Sequence, residues 1–372
     1  AAARRGRLGR THTRRQGGAG GLTAAETRRH RLRAQRLTGR RDADPVAAVS
    51  HVFGIQAQDR RAALLAVRAR TEGATAETVE AALRAGAERA ARGAKRASRG
   101  AKRASRGARA DGLVRTWAMR GTLHLLTADD LPAVLAIFGP IHLARGQRRL
   151  TQLGVAPAAA ERSTELTAEI LRAEGPLTRH ELAARLHDRG VPVAAEGQAP
   201  IHVVARAAHA GVLIEVEENR YGPLDLGPLP DREEALVNLA RRYAAAHAPA
   251  TIEDFAAWSG LPKSDLRWEE PETGDADEGG VRLLPAFDEW LLGWKSRDPV
   301  LPRKHAKQVA PGGGIIRPVA IADGRVFATW RLDRPKRRIV LDPFGRVTKQ
   351  QREGVEAEVD AIADFLGVGH RL

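Results

Sequence analysis

The chain has 372 residues, of which 43% are hydrophobic and 4% aromatic, and this length allows two or three domains at about 100–200 residues each. It contains no cysteine, so disulfides, a catalytic thiol, thiolate zinc sites and iron–sulfur clusters are excluded. No apolar run approaches the roughly 20 residues of a membrane span, and the N-terminal segment lacks the apolar core of a secretory signal. We therefore expect a cytoplasmic protein.

The net charge of +16 at neutral pH suggests a polyanionic partner such as nucleic acid, but the charge is unevenly spread. Residues 1–41 carry 13 Lys and Arg against one acidic residue, and residues 88–109 carry nine against one. Elsewhere 39 basic residues face 43 acidic ones. Charge alone therefore favours a DNA-binding surface no more than a solvated basic tail. The 12 His residues are scattered, and we expect no metal and no other cofactor.

Two basic segments lack the periodicity of helices and strands. Residues 1–21 are rich in Gly and Arg, which predicts a disordered arm. Residues 88–109 contain two copies of GAKRASR, but the period of seven has no apolar seam for a coiled coil. We interpret this second segment as a flexible basic insertion.

The first folded unit is predicted over residues 22–150. A capping box at Thr23 and Glu26 starts a helix, and the Asp44–Pro45 pair starts a second one. Further helices are expected at 62–70 and 75–84, and β-rich stretches at 113–119 and 122–127. Several helices followed by a short hairpin are typical of a winged helix.

The same pattern recurs twice. Residues 151–230 carry three predicted helices (161–173, 178–190 and 198–210) and a predicted wing (212–218). Residues 231–372 carry helices at 231–247, 251–259 and 263–268, β-rich sequence from Val281 onward and a last helix at 351–366. Within the β-rich part, Asp323–Gly324 marks the turn of a hairpin spanning 315–332. We therefore predict an α+β fold of three tandem winged-helix units.

Four segments resemble a family of bacterial winged-helix DNA glycosylases of the AlkZ and YcaQ type, most closely the AlkZ branch. They are RTWAMRGTLHLLTADDL (115–131), LPAFDEWLLGWKSRD (284–298), GIIRPVAIADGRVFATWR (314–331) and GIQAQD (54–59). The resemblance extends from Thr23 to Leu366. It implies a concave, C-shaped body around DNA and hydrolysis of the N-glycosidic bond of N7-alkylguanine without lyase activity. It also implies that the substrate is an interstrand crosslink made by a DNA-alkylating antibiotic, from which the enzyme protects the cell.

The resemblance implies that Gln56 and Gln58 are catalytic. An amide oxygen is a fixed dipole that can accept a hydrogen bond from the attacking water and stabilise positive charge on the sugar. In an extended segment these two side chains share a face, whereas on a helix they would diverge by about 200°, so we expect the segment to be non-helical. The alternative is that both residues cap a helix or face solvent. Asp59 is expected to cap the helix beginning at Arg60.

Basic residues on hairpins and helix ends are expected to contact double-stranded DNA. The candidates are Arg115, Arg120, Lys304, Lys307, Arg317, Arg325 and Arg331. The alternative for each of them is a solvated surface charge. We expect the tip of the 315–332 hairpin to reach DNA without contributing to stability. Asp288 and Glu289 are interpreted as structural partners of nearby Arg residues.

Two other functions remain compatible with the sequence. One is a non-catalytic winged-helix regulator, which would normally dimerise and read a DNA sequence through one recognition helix. The other is a glycosylase that excises only simple methylated purines. Three units in one chain favour a monomer that encircles DNA carrying an alkylated or cross-linked guanine, associated with the bacterial nucleoid.

Overall fold

The computed structural model describes residues 21–39, 41–92, 112–269, 271, 276, 279–333 and 338–368. The fold is a mixture of helices and small sheets. Residues 1–20 of the predicted disordered arm and 93–109 of the predicted basic insertion lie outside the described residues. Residues 88–92 belong to a regular helix, so the prediction of a flexible segment is wrong for these five residues. Within the described ranges, no helix is both long and apolar enough to cross a membrane.

In the first part of the chain, the described residues form four helices and a three-stranded sheet. In chain order the elements are α1 (Ala24–Ala34), α2 (Pro45–Val52), β1 (Ile55–Gln56), α3 (Arg60–Arg70), α4 (Ala76–Arg92), β2 (Leu113–Trp117) and β3 (Leu123–Thr127). The capping box predicted at Thr23 and the N-cap predicted at Asp44 are both confirmed. The strands pair antiparallel in the order β1-β3-β2, so the last strand is central.

The second part repeats this arrangement. Its elements are α6 (Pro157–Glu174), β4 (Leu177–Thr178), α7 (Arg179–Asp188), α8 (Ala199–His209), β5 (Leu213–Glu217) and β6 (Arg220–Pro223). A capping box of Thr178 and Glu181 starts α7. The strand order β4-β6-β5 is that of the first sheet. In both parts a short strand precedes two helices, and a hairpin then returns to pair with that strand.

Between these two parts lies α5 (Leu131–Gln152), a 22-residue helix that the sequence analysis did not predict. Pro140 lies inside it, where proline removes one backbone hydrogen bond and normally interrupts a helix. Tertiary packing holds this helix together, because its apolar face is buried in the largest core cluster. Gly139 lies so close to α8 that a Cβ atom there would be 2.7 Å from the carbonyl oxygen of His209.

The third part differs in its sheet. Its elements are α9 (Arg232–His247), α10 (Ile252–Ser259), β7 (Val281–Leu284), α11 (Glu289–Leu292), α12 (Ala306–Val309), β8 (Val319–Ala322), β9 (Arg325–Asp333), β10 (Arg338–Pro343) and α13 (Lys349–Leu366). The four strands pair antiparallel in chain order, as a meander. The helix expected at 263–268 is only a single 3₁₀ turn, Lys263–Asp265.

The cores show how the parts are joined. One cluster is built from residues 150–221 and Trp117, so the second part has a core largely of its own. The other two clusters combine the first and third parts; in one of them Leu65 of α3 lies with Leu283 of β7 and Phe365 of α13. The first and third parts therefore fold against each other as one packed body.

A fully buried ion pair fixes α3 within this body. Arg70 donates from both Nη atoms to the two carboxylate oxygens of Asp288, each over 2.9 Å. The same guanidinium donates to Gln35 over 2.8 Å. Both members of the pair are 0% exposed, so either one alone would be an uncompensated buried charge. The predicted pairing of Asp288 with an Arg is confirmed, and it anchors the helix that begins just after Gln58.

Candidate active site

The segment that carries Gln56 leaves α2 through a sharp backbone change. Phe53 ends the helix with a left-handed φ of 54°, and Gly54 follows with a φ of 109°. A Cβ atom on Gly54 would lie 2.8 Å from Cδ2 of Leu126 and 3.3 Å from the carbonyl oxygen of Leu125. Glycine is therefore required here both for its φ and for its closeness to β3.

After Gly54 the chain is extended, as the sequence predicted. Ile55 and Gln56 pair with Leu125 and His124 of β3, and the amide of Ala57 donates to the carbonyl of Leu123 over 2.7 Å. Ile55 and Ala57 are fully buried. The extended stretch ends where Asp59 caps α3 by accepting from the amide of Ala62, which confirms the role predicted for Asp59.

The two glutamine side chains meet. Nε2 of Gln56 donates to Oε1 of Gln58 over 2.7 Å. Gln56 is only 7% exposed, whereas Gln58 is exposed. The inner amide therefore supports the outer one, and Gln58 presents its amide to solvent.

Arg120 lies behind this pair and not on an outer surface. It occupies the turn between β2 and β3 with a left-handed φ of 55°, a conformation that costs a non-glycine residue about 1–2 kcal/mol. Its Nη2 donates to Oε1 of Gln56 over 3.1 Å, and its Nη1 donates to the carbonyl of Trp258. Both ends of the guanidinium are engaged by the protein although the side chain is only half-buried, so these contacts favour a role beside Gln56, and the DNA contact of Arg120 stays a prediction.

Arg115 is also internal. It is 8% exposed, its Nε donates to the carbonyl of Ala57 over 2.9 Å, and it forms an ion pair with Glu215 of β5. A side chain this deeply buried does not present its charge at the surface, so the structure speaks against the DNA contact predicted for Arg115. Arg115 holds the backbone between the two glutamines and ties it to the second part of the chain.

Two buried groups near Gln56 were not recognised as site residues in the sequence. His124 lies directly across the sheet from Gln56 and is 0% exposed. Its Nδ1 lies 2.9 Å from the carbonyl of Thr122, so Nδ1 carries the proton and Nε2 keeps a lone pair. Burial, with a contribution from Arg120, lowers the pKa of His124 to about 3, so this ring is neutral at physiological pH.

Glu289 is the second of these groups, at the start of α11. It is 0% exposed, and its Oε2 accepts from Nε1 of Trp258 over 2.9 Å. Burial raises the pKa of Glu289, whereas the positive charge of Arg120 lowers it. The sequence placed Glu289 beside an Arg but gave no sign that this Arg would come from the turn after β2.

The remaining basic candidates lie in the third part, and all of them are exposed: Lys304, Lys307, Arg317, Arg325 and Arg331. The backbone of Arg317 pairs with that of Val309 over 2.9 Å, and an isolated bridge joins Gly312 to Ile315. Residues 311–315 form an exposed turn on this ladder, and the side chain of Ile315 is 52% exposed.

The turn at 322–325 supports the fold, contrary to the sequence prediction, although Asp323 and Arg325 are exposed and the predicted DNA contact of this tip stays a prediction. The carbonyl of Asp323 accepts from Nε of Arg28 over 3.2 Å, and that of Gly324 accepts from Nε1 of Trp290 over 3.2 Å. A Cβ atom on Gly324 would lie 3.0 Å from the ring of Trp290. The tip packs against α1 and the core, so its removal would cost stability.

No group of three or more His, Asp and Glu side chains is arranged to hold a metal ion among the residues that the structure describes.

Comparison with known proteins places the chain in a family. A model of the family described as DNA glycosylase AlkZ-like matches residues 90–273 and 267–365. The interstrand DNA cross-link repair glycosylase of Streptomyces sahachiroi is 30% identical over 300 residues, which are 69% of this chain and 80% of that protein. The structure of the Streptomyces sahachiroi DNA glycosylase AlkZ superposes with a TM-score of 0.73 at 25% identity, covering 94% of this chain and 98% of the other.

The matched ranges of the family model begin after the two glutamines, so they bear on the fold and the activity and not on Gln56 and Gln58. They cover more than half of the chain. The protein therefore belongs to the AlkZ-like DNA glycosylase family and is a DNA glycosylase.

Proposed function

We propose that this DNA glycosylase hydrolyses the N-glycosidic bond of N7-alkylguanine in duplex DNA and unhooks interstrand crosslinks made by a DNA-alkylating antibiotic. The observation that carries the proposal is the amide pair, in which Gln56 donates to Gln58 over 2.7 Å while Gln58 remains exposed. The relative described as an interstrand DNA cross-link repair glycosylase supports the substrate class.

The chemistry needs little from the protein. N7-alkylation places a positive charge on the guanine, so the base can leave without being protonated. What remains is to hold a water at C1′ of the deoxyribose and to stabilise the positive charge that develops on the sugar. Preoriented dipoles achieve both without reorganisation.

Gln58 is the residue that meets the water. One lone pair of its Oε1 accepts from Gln56, and the other is open to accept a hydrogen from water. The oxygen of Gln56 is instead occupied by Arg120, so Gln56 acts by orienting and polarising its neighbour.

A crosslinked base is best served by a side chain that holds the attacking water at the protein surface. Many glycosylases flip the target nucleotide into a closed pocket, but a guanine tied to the opposite strand cannot leave the duplex in that way. Gln58 stands at the surface, where it can reach a sugar that stays in the duplex.

For the architecture, we propose that the first two parts are winged helices and that the third completes a concave, C-shaped monomer around DNA. The repeated strand order in the first two sheets supports this. We assign the DNA contact of the third part to the exposed turn 311–315, flanked by Lys307 and Arg317, together with the exposed Arg325 and Arg331 of the 315–332 hairpin.

Duplexes containing a single N7-methylguanine or a defined interstrand crosslink between N7 atoms of guanine test the proposal. Excess enzyme is expected to leave an abasic site, seen as strand cleavage after alkali, and to separate the crosslinked strands. Excision of methylguanine without unhooking would identify a glycosylase for simple methylated purines. Binding of unmodified duplexes with sequence preference and no excision would identify a regulator.

A further inference from the structure

Behind the amide pair, a polar chain crosses from the first part of the protein into the third. It runs from Gln58 through Gln56 to Arg120, whose other Nη donates to the carbonyl of Trp258. The indole of Trp258 in turn donates to Glu289 over 2.9 Å. Gln56 is 7% exposed and Trp258 and Glu289 are 0% exposed, whereas Arg120 between them is half-buried.

Arg120 determines which way the inner amide points. A guanidinium has only donors, so the atom of Gln56 that faces it must be the oxygen. The NH₂ group of Gln56 then faces Gln58 and can meet only an acceptor there. This forces Oε1 of Gln58 inward to accept, and thereby fixes the position of the oxygen that would hold the water.

The backbone on both sides is shaped for this contact. Arg120 adopts a left-handed φ of 55°, and Gly260, which ends α10 with a φ of 75°, lies against it. A Cβ atom on Gly260 would lie 3.0 Å from Cγ of Arg120. Both turns therefore bring the guanidinium between Gln56 and Trp258.

A cation at this place poses an electrostatic difficulty, because the reaction develops positive charge nearby. Glu289 resolves it. Its Oε2 accepts from the indole of Trp258, the residue whose carbonyl accepts from Arg120, and its Oε1 is buried without a hydrogen-bond partner among the described residues. Burial raises the pKa of Glu289 overall, and the positive charge of Arg120 opposes that rise and favours the carboxylate. In a dry environment an opposite charge of this kind has a large effect.

We propose that Arg120 is the positioning residue of the amide pair and that Glu289 is its counter-charge, so that the third part of the protein orients the catalytic amides of the first. The proposal rests on the proposed role of Gln58. Neither residue touches the substrate: Arg120 acts through Gln56, and Glu289 acts by offsetting the charge of Arg120.

The kinetic test is a double-variant cycle on single-turnover excision of N7-methylguanine at saturating enzyme. Arg120→Met is expected to slow excision at least tenfold with unchanged DNA affinity. The Arg120→Met, Gln56→Ala double variant is expected to lie within threefold of the slower single variant, because both changes remove the same orientation. If the rate losses of the two single variants multiply in the double variant, the positioning role of Arg120 is refuted.

The charge test measures binding and needs no excision. Affinities are compared for duplexes with a cationic pyrrolidine abasic analogue and a neutral tetrahydrofuran one. Glu289→Gln, whose amide oxygen can still accept from Trp258, is expected to lower the pyrrolidine preference at least fivefold, and Arg120→Met to raise it. An unchanged ratio in both variants would refute the counter-charge.

The matched control is Arg31→Met. Arg31 is a buried Arg that donates to the carbonyl of Pro249 over 3.2 Å and stacks on Trp294, away from the amide pair. Its effect on excision is expected to multiply with that of Gln56→Ala and to leave the binding ratio unchanged. If the wild type does not excise N7-methylguanine, the proposed function fails, while the binding ratios still decide the roles of Arg120 and Glu289.

Discussion

Replacing either glutamine by alanine separates catalysis from folding. Gln58 is exposed, so Gln58→Ala is expected to change the free energy of unfolding by less than about 0.5 kcal/mol. Gln56 is 7% exposed and accepts from Arg120, so Gln56→Ala leaves a buried charged donor without its acceptor and is expected to cost about 1–3 kcal/mol.

The rate of excision is expected to fall by more than these changes in the free energy of unfolding would explain. Removing one preoriented dipole from an oxyanion site costs about 3–4 kcal/mol in the transition state. The loss is smaller here because the cationic base departs readily, so each Ala variant is expected to slow excision at least tenfold. Gln58→Asp should retain more activity than Gln58→Ala, because a carboxylate oxygen can still accept from Gln56 and from water.

The assay is single-turnover release of N7-methylguanine at saturating enzyme, with thermal unfolding followed by circular dichroism on the same samples. The exposure of Gln58 and the burial of Gln56 lead us to expect that only Gln56 contributes to the stability of the fold. Wild-type excision rates in both Ala variants would refute the assignment. A destabilised Gln58→Ala variant that unfolds during the assay would show that Gln58 has a structural role.

Three further predictions concern the surrounding protein. Asp288→Ala is expected to lower the free energy of unfolding by about 3–5 kcal/mol, because Arg70 is left as an unpaired buried charge; an unchanged urea midpoint would contradict the importance of this pair. Shortening the exposed turn 311–315 is expected to weaken DNA binding at least threefold with little change in melting temperature; a large loss of stability with unchanged binding would show that the turn is structural. Burial lowers the pKa of His124, His209 and His247 to about 3 and that of His51 to about 4. Acid is therefore expected to destabilise the fold below about pH 6.5, the unfolded-state pKa of His. The unfolded chain binds more protons between pH 6.5 and these folded-state values, so the free energy of unfolding falls as pH falls through that window, by up to about 2 kcal/mol per His at pH 5; a melting temperature that is constant from pH 7 to 5 would contradict it.

Local sequence determined the elements whose ends depend on nearby residues. Thr23 and Thr178 each have a Glu three residues later, and both capping boxes form. Asp44 followed by Pro45 starts α2, and Asp59 caps α3. For these caps the determining contacts lie within about four residues, so the pattern is visible in the chain itself. The shared role implied for Gln56 and Gln58 required a non-helical segment, and Gly54 supplies the φ that permits it, although the strand also pairs with the distant β3.

Tertiary structure decided the features that depend on distant partners. α5 forms despite Pro140 because its apolar face is buried against residues far away in the chain. Arg115 and Arg120 were expected to be surface cations. In the structure Arg115 forms an ion pair with Glu215, and Arg120 donates to the carbonyl of Trp258. An Arg on a hairpin has the same local sequence whether it faces DNA or a buried carboxylate. Which of the two it meets depends on how the first and third parts pack together, because burial creates the low-dielectric setting in which a charge must find its partner inside the protein.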